Sequence, residues 1–281
     1  MAKTVSIVMA VKNSLPALRH MVEATARLPL ESTELVIVDG DSPDGTAAWL
    51  AGLTAVLSQP AMTAISAPDS GIAEAWNRGI RLARGDWVVF LGTDDRITDA
   101  AAWRATIDWL LSLPRECGAA AFPVRIVTPA GRTIADEEPR LGAGARQFPS
   151  VSAIPHQGVF HRRSLWEVHG DFDTSFAIAA DYEFLLRIRA AGVEVRAFGG
   201  SPPVAMTFGG TSKKRPWVNV REFRRARRLH GVRVSLLSQC REWGFAALRC
   251  VASAVLGESL ARRLADCGRR IRRLPPVWSV P

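Results

Sequence analysis

The sequence predicts an α/β protein whose central sheet is mainly parallel and is flanked by helices. Of its 281 residues, 48% are hydrophobic and 22% are charged, a balance that is typical of a soluble globular protein and excludes a disordered or polytopic membrane chain. Over residues 1–95, apolar strand-like runs alternate with helical patterns, as in parallel strands joined by crossover helices. Polar clusters follow the strands, where open parallel sheets bind ligands.

The strands of this first half are predicted by short runs of apolar, mostly β-branched residues. These runs cover residues 5–11, 34–39, 64–66 and 86–91. The second run ends in Gly40-Asp41-Ser42-Pro43-Asp44-Gly45, a cluster of turn-forming residues. Helical periodicity separates the runs, over residues 15–28, 46–53 and 72–84.

The middle of the chain, residues 100–210, is less regular. We expect helices over 100–113 and 180–191, and strands near 119–127, 193–198 and 204–208. A Gly/Arg-rich loop is expected over 142–149. The sequence shows no internal repeat and no low-complexity tract.

Charge divides the chain into two parts. Residues 211–281 hold 17 Lys and Arg against 4 Asp and Glu, a net charge of +13, which leaves −4 for residues 1–210. The basic part is predicted to be mostly helical, with Trp and Leu between its arginines, a pattern that suits an anionic membrane surface. A solvated helix face is the main alternative. A nucleic-acid partner is not expected, because no recognition motif accompanies the arginines.

The cysteines and the N-terminus bear on the compartment. The four cysteines form no C-x-x-C pair, and no apolar signal region precedes a small-residue cleavage site. We therefore expect buried core thiols and a cytoplasmic protein, with peripheral attachment to the cytoplasmic face of a membrane as an option.

Two adjacent carboxylates, Asp94 and Asp95, follow the fourth strand. In an extended chain neighbouring side chains face opposite ways, so one can ligate a divalent cation while the other bonds a sugar hydroxyl. Mg²⁺ prefers one or two protein carboxylates together with substrate phosphate oxygens. The alternative is that the pair only caps the next helix or forms an Asx-turn.

Several linked motifs carry a family resemblance. Residues 6–13 (SIVMAVKN), residues 36–46 (VIVDGDSPDGT) and the stretch from Ser66 to Asp95 occur in this order. Over residues 4–210 the chain resembles the family-2 glycosyltransferases of the GT-A fold, such as those of bacterial cell-surface polysaccharide synthesis. The resemblance implies a catalytic domain at 1–210 and a basic, mostly helical extension at 211–281.

What the resemblance implies is an inverting transfer of a sugar from a nucleotide-diphosphate donor to a sugar or lipid-linked acceptor hydroxyl. Mg²⁺ or Mn²⁺ would assist, in polysaccharide or glycolipid synthesis. A catalytically silent nucleotide-sugar-binding or membrane scaffold protein of the same fold is the alternative.

The resemblance also implies roles for particular residues. Asp95 would bind the metal, Asp181 would be the catalytic base, and His156 and Gln157 would lie on the acceptor or phosphate side. The donor side would comprise Asn13, Asp39, Asp41, Asp69, Arg78 and Asp94. The family often has a second Asp where Gly40 stands, which leaves open whether Asp39 or Asp41 contacts the base.

Overall fold

The computed structural model describes residues 4–26, 32–54, 61–141, 154–209 and 215–271. The strands are β1 Val5–Val11, β2 Thr33–Asp39, β3 Ala61–Ser66, β4 Trp87–Phe90, β5 Arg96–Ile97, β6 Cys117–Ala121, β7 Val124–Val127, β8 Thr133–Glu137, β9 Val159–Arg162, β10 Glu194–Ala197 and β11 Val204–Thr207. The helices are α1 Leu15–Ala26, α2 Thr46–Thr54, α3 Ile72–Leu82, α4 Ala100–Ser112, α5 Ser164–His169, α6 Ala180–Ala190, α7 Pro216–Leu229 and α8 Leu236–Ile271. A 3₁₀ turn covers His156–Gly158.

Seven strands form the central sheet, in the order β10-β6-β9-β4-β1-β2-β3. The strands run parallel to one another except β9, which pairs antiparallel with β4 and with β6. The predicted mainly parallel sheet is therefore confirmed, and the carboxyl ends of β1 to β4 meet at one edge.

Both faces of this sheet are buried. Along β1, Ile7 and Met9 pack into one apolar cluster with α1 and α4, while Val8 packs into a second cluster with α3, α5 and α6. A strand buried on both faces reads as a continuous apolar run, which is why β1, β2 and β4 stand out in the sequence.

A second, four-stranded sheet has the order β5-β11-β7-β8. The strands predicted near 119–127 are β6 and β7, which belong to different sheets: β6 to the large one and β7 to the small one. The β5–β11 pairing places Thr207, at the end of β11, beside Asp94.

The basic part of the chain is helical where the structure describes it. Helix α7 follows the domain boundary that the sequence predicts at residue 210. It packs against α6, a helix that precedes this boundary. Helix α8 kinks at Gly257, whose φ is 75°. In the described ranges no helix has the length and apolarity needed to cross a bilayer.

Some predictions are wrong or fall outside the described residues. Among the cysteines only Cys117 is buried, whereas Cys240 and Cys267 are exposed, because the basic helices bury few of their side chains. The predicted loop over 142–149 lies outside the described ranges.

Candidate active site

The loops after β1 and β2 are joined through side-chain oxygens. The Asn13 amide donates to Ser42 Oγ at 2.8 Å, and the Leu15 amide donates to Asp44 Oδ2 at 3.0 Å. The hydrogen bond from the Thr46 hydroxyl, followed by that from the Leu15 amide, lowers the pKa of Asp44. Asn13 and Asp44 are thus held at the carboxyl edge of the sheet.

Asp39 and Asp41, the two candidates for contact with the base, differ in burial. Asp39 is fully buried, and its carboxylate accepts hydrogen bonds from the Ser42 amide (3.1 Å), the Ser42 hydroxyl (2.5 Å) and the Ser66 hydroxyl (2.7 Å). It therefore anchors the loops after β2 and β3. Asp41 is exposed and has a left-handed backbone, with φ at 62°, a conformation that Asn and Asp tolerate better than other side chains.

Gly40 has a steric reason to differ from the family pattern. A Cβ at this position would collide with the Asp69 carboxylate and would lie 3.2 Å from Cδ of Lys12. Asp69 itself accepts a hydrogen bond from the Gly71 amide at 3.1 Å, so its carboxylate cannot withdraw without losing that bond. A side chain at position 40 would therefore require the Asp69 carboxylate to move.

Arg78 fixes the loop between β3 and α3. Its guanidinium donates to the Ala67 carbonyl at 3.1 Å and pairs with Glu74 one helical turn earlier. Glu74 also accepts from the Ser70 hydroxyl and amide, and these bonds together with Arg78 lower its pKa to about 2. Asp69 and Arg78 thus frame one loop of the candidate nucleotide side.

Asp94 and Asp95 lie beside Gly92, at the end of β4. Asp94 is exposed, whereas Asp95 is 4% exposed and accepts a hydrogen bond from the Gly92 amide at 2.7 Å. A Cβ built on Gly92 would lie 2.8 Å from Asp94 Oδ1 and 3.2 Å from Asp95 Oδ2. Both carboxylates therefore face the space that glycine leaves open.

The environment of Asp95 disfavours its negative charge. Burial, with a further contribution from the Asp94 charge, raises the pKa of Asp95 to about 7 against the opposing hydrogen bonds from the Gly92 and Thr207 amides and the Gln157 side chain. A nearby cation would remove this cost.

The donor set at Gly92 fits a cation that the substrate helps to hold. The described part of the chain contains no group of three His, Cys, Asp or Glu side chains that could bind a metal alone. One or two carboxylates are nonetheless the usual protein ligands of such a cation, because the phosphate oxygens of the substrate supply further ligands. The Asp94 and Asp95 carboxylates beside Gly92 fit this arrangement.

The 3₁₀ turn His156–Gly158 lies near both Asp95 and Asp181. The Gln157 side chain lies near enough to Asp95 to favour its charged form, and Nδ1 of His156 lies 4.0 Å from Oδ2 of Asp181. The His156 ring stacks on Phe90 with centroids 5.1 Å apart, and burial lowers its pKa despite the nearby Asp181. His156 is therefore neutral at pH 7, and its ring lies inside an aromatic cluster.

Asp181 lies in the first turn of α6, where its Oδ1 accepts from the Tyr182 amide at 2.8 Å and its Oδ2 faces His156. The N-cap residue of α6 is Ala179, which has no side-chain acceptor for the free amides of the helix start.

Glu222 of α7 instead accepts hydrogen bonds from the segment that leads into α6. One of its oxygens accepts from the Ala177 amide at 2.8 Å, and the other accepts from the amides of Ile178 (2.8 Å) and Ala179 (2.9 Å). One turn into α6, Glu183 accepts from His230 at 2.7 Å, so α7 is tied to α6 at two points. The sequence analysis missed Glu222, because its partners lie about 45 residues away and only the missing N-cap could have signalled it.

The fold and the acidic edge define a nucleotide-sugar transferase of the GT-A class. The model of the family described as "Glycosyl transferase family 2" matches residues 6–168, more than half of the chain, and the chain belongs to this family. The predicted family resemblance is confirmed.

Curated relatives from mycobacteria support this assignment. An uncharacterised glycosyltransferase of Mycobacterium tuberculosis is 30% identical in an alignment 205 residues long, which covers 66% of this chain and 69% of that protein. A PGL/p-HBAD biosynthesis glycosyltransferase of Mycobacterium bovis is 29% identical over 185 residues, 65% of this chain and 68% of that protein.

Solved structures confirm the GT-A fold. Residues 1–349 of TarS from S. aureus, in complex with UDP-GlcNAc, match with a TM-score of 0.63 and 14% identity over 92% of this chain and 75% of that one. The mannosyltransferase PcManGT from Pyrobaculum calidifontis, in complex with GDP-Man and Mn²⁺, matches with a TM-score of 0.62 and 17% identity over 99% and 84%. Against a longer TarS chain, this chain spans 44% of its length.

Proposed function

We propose that this glycosyltransferase moves a sugar from a nucleotide-diphosphate donor to an acceptor hydroxyl, with inversion and with the assistance of Mg²⁺ or Mn²⁺. The observation that carries the proposal is the turn His156–Gly158, where Gln157 lies near Asp95 and Nδ1 of His156 lies 4.0 Å from Oδ2 of Asp181. A candidate cation ligand and a candidate base thus flank one short segment.

The donor nucleotide lies, in this proposal, along the loops after β1 to β4. Asn13, Asp41, Asp69 and Arg78 surround the base and ribose, and Asp94 meets the ribose or the donor sugar. Asp41 takes the base contact, because the Asp39 carboxylate already accepts three hydrogen bonds within the protein. Complexes of two structural neighbours with UDP-GlcNAc and GDP-Man support a nucleotide-sugar donor.

Asp95 would hold the cation, beside the Asp94 carboxylate that meets the ribose or the donor sugar. When bound, such a cation stabilises the negative charge that develops on the departing nucleoside diphosphate. The Gly92 amide and Gln157 orient the Asp95 carboxylate, and the Mn²⁺ complex of PcManGT supports a divalent metal.

Asp181 is the proposed base on the acceptor side. Its Oδ2 takes the proton of the acceptor hydroxyl. The hydroxyl oxygen attacks the anomeric carbon from the face opposite the departing diphosphate, and this attack gives inversion. The Tyr182 amide orients the carboxylate by its hydrogen bond to Oδ1, the His156 ring lies beside Oδ2, and Glu222 holds the segment before the helix.

The acceptor belongs, in this proposal, to polysaccharide or glycolipid synthesis and is a sugar or a lipid-linked sugar. Relatives named for PGL/p-HBAD biosynthesis support a glycoconjugate product. The basic helices are proposed to attach the protein peripherally to the anionic cytoplasmic face of a membrane, as a C-terminal extension of the catalytic domain.

The test is release of nucleoside diphosphate from a panel of UDP- and GDP-sugars with Mn²⁺. Asp181→Asn should lower kcat by about 10²- to 10⁴-fold with donor binding retained, and Asp95→Ala should abolish metal-dependent donor binding. Asp171→Asn, which removes an exposed carboxylate paired with Arg81, is the matched control. Full activity in both site variants contradicts the assignment, and donor binding without turnover indicates the catalytically silent alternative.

A further inference from the structure

Helix α7 has two faces of different chemistry. At about 100° per residue, the inner face carries Glu222, Phe223, Ala226, Arg227 and the following His230. These residues contact the catalytic unit: the Phe223 ring lies 4.5 Å from that of Tyr182, and Ala226 is fully buried. The opposite face carries the other four arginines of the helix, Arg221, Arg224, Arg225 and Arg228.

The four outward arginines line one cavity. Leu229 at the end of α7 and Trp243 of α8 complete its lining, and its volume is about 530 Å³. Arg225 is held by the Ser175 hydroxyl at 2.8 Å and lies over the Phe176 ring. Arg225 also pairs with the Asp173 carboxylate at 3.6 Å, whereas within the described ranges the side chains of Arg221, Arg224 and Arg228 form no ion pair, so three positive charges on the cavity are not neutralised.

Exposed apolar side chains concentrate on α7 and α8, the two helices that line this cavity. Of the eleven large hydrophobic residues that are exposed in the described ranges, eight lie on α7 and α8. They are Trp217, Leu229, Leu236, Leu237, Leu248, Val251, Val255 and Leu260. Nucleic acid would leave these aliphatic groups in water, whereas the interface of a bilayer would bury them beside its phosphates.

We propose that the cavity lined by Arg221, Arg224, Arg225 and Arg228 binds the phosphate group of an anionic membrane lipid. Arg guanidinium groups bind phosphate oxygens in a forked, two-bond geometry, and Leu229 and Trp243 contact the glycerol and upper acyl region. The proposal deepens the membrane partner of the proposed function, on which it rests.

The site lies close to the proposed acceptor side. Glu222, next to Arg221 in the chain, bonds to the amides of 177–179, and Arg225 bonds to Ser175. A lipid phosphate in the cavity would therefore place the acceptor side of the enzyme, with Asp181, near the bilayer surface where a lipid-linked hydroxyl is presented.

The experiment is co-sedimentation of the full chain with vesicles of phosphatidylcholine, with or without roughly one-third phosphatidylglycerol, at about 0.1 M salt. Wild type should bind the anionic vesicles and not the neutral ones. Each basic residue near an anionic surface contributes about fivefold to the affinity. The Arg221→Gln/Arg224→Gln/Arg228→Gln variant should therefore bind about 100-fold more weakly than wild type. The variant Arg104→Gln/Arg115→Gln/Arg132→Gln removes the same charge from exposed positions elsewhere and should stay within about twofold of wild type.

Two further measurements distinguish a specific lipid-phosphate site from non-specific attraction by the basic helices and from a site for another anion. A triple Arg→Lys variant at 221, 224 and 228 keeps the charge but loses the forked geometry, and should bind several-fold more weakly than wild type. Equal losses in the two Gln variants, full binding by the Lys variant, or displacement by inorganic phosphate or a short RNA would each overturn the proposal. A metal-dependent thermal shift with nucleoside diphosphate, measured on the same samples, reports the proposed function separately.

Discussion

Asp95 is the residue whose surroundings most constrain the chemistry of the site. A carboxyl group whose pKa rises to about 7 in the folded state binds more protons there than in the unfolded chain. The native state is therefore destabilised as the pH rises from about 4 to about 7, and the cost persists above that range. Such a cost at a strand end is consistent with a group that is kept for binding a cation.

Asp95→Asn should consequently stabilise the metal-free protein at high pH. With EDTA present, we expect the variant to exceed wild type by about 1–4 kcal/mol at pH 8, because the amide carries no buried charge. At pH 4 the wild-type carboxyl is protonated and the two proteins should match. Denaturant unfolding at both pH values measures this, and a gain that is the same at pH 4 and pH 8 contradicts the explanation.

Asp39 and Asp41 show what a residue pattern leaves undecided. The motif VDGDSPDG places three acids in one loop, and whether Asp39 or Asp41 meets a ligand depends on burial that the pattern does not encode. Ser42 and Ser66 hydrogen-bond to the Asp39 carboxylate, whereas Asp41, on a left-handed backbone, is exposed. Likewise, the inward-facing ring of His156 depends on the aromatic cluster around Phe90, which forms only in the folded chain.

Among the elements, α6 depends most on a partner outside its own sequence. Ala179 offers no cap, and Glu222 of α7 accepts the three amides at and before the helix start. Glu222→Gln leaves one acceptor oxygen for three donors, so we expect a loss of about 1–3 kcal/mol in stability. Because Asp181 lies two residues beyond the capped segment, kcat should fall several-fold while the donor KM changes little.

Urea unfolding and steady-state kinetics check this prediction. Glu167→Gln is the matched control, since it removes a carboxylate from an exposed ion pair with Arg163 and should change stability by less than about 1 kcal/mol. If Glu222→Gln retains both its stability and its kcat, α7 does not position the base.

The sequence predicted some elements better than others for physical reasons. Strands β1, β2 and β4 are buried on both faces and were predicted within one or two residues. The small sheet was not predicted as a sheet, because β5 has two residues and β8 is half exposed, which leaves too short an apolar pattern. The antiparallel pairing of β9 depends on its neighbours β4 and β6.

At the scale of the whole molecule, charge is divided between two parts with different tasks. Residues 1–210 carry −4 and place acidic loops at the carboxyl edge of the sheet, whereas residues 211–281 carry +13. A nucleoside diphosphate would meet like charge at Asp94 and Asp95, so we expect a cation to be needed for binding. The basic part offers its arginines on the outer face of α7, whose inner face packs on α6.

The measurement that tests the central claim most directly is thermal unfolding with UDP or GDP, with and without Mn²⁺, for wild type and Asp95→Asn. At about 100 times the Kd, one nucleotide with Mn²⁺ should stabilise wild type by about 2.7 kcal/mol, which raises Tm by roughly 5–10 °C. EDTA or Asp95→Asn should remove that shift. A shift that survives in both, or no shift with either nucleotide, contradicts a metal-assisted donor site at Asp95.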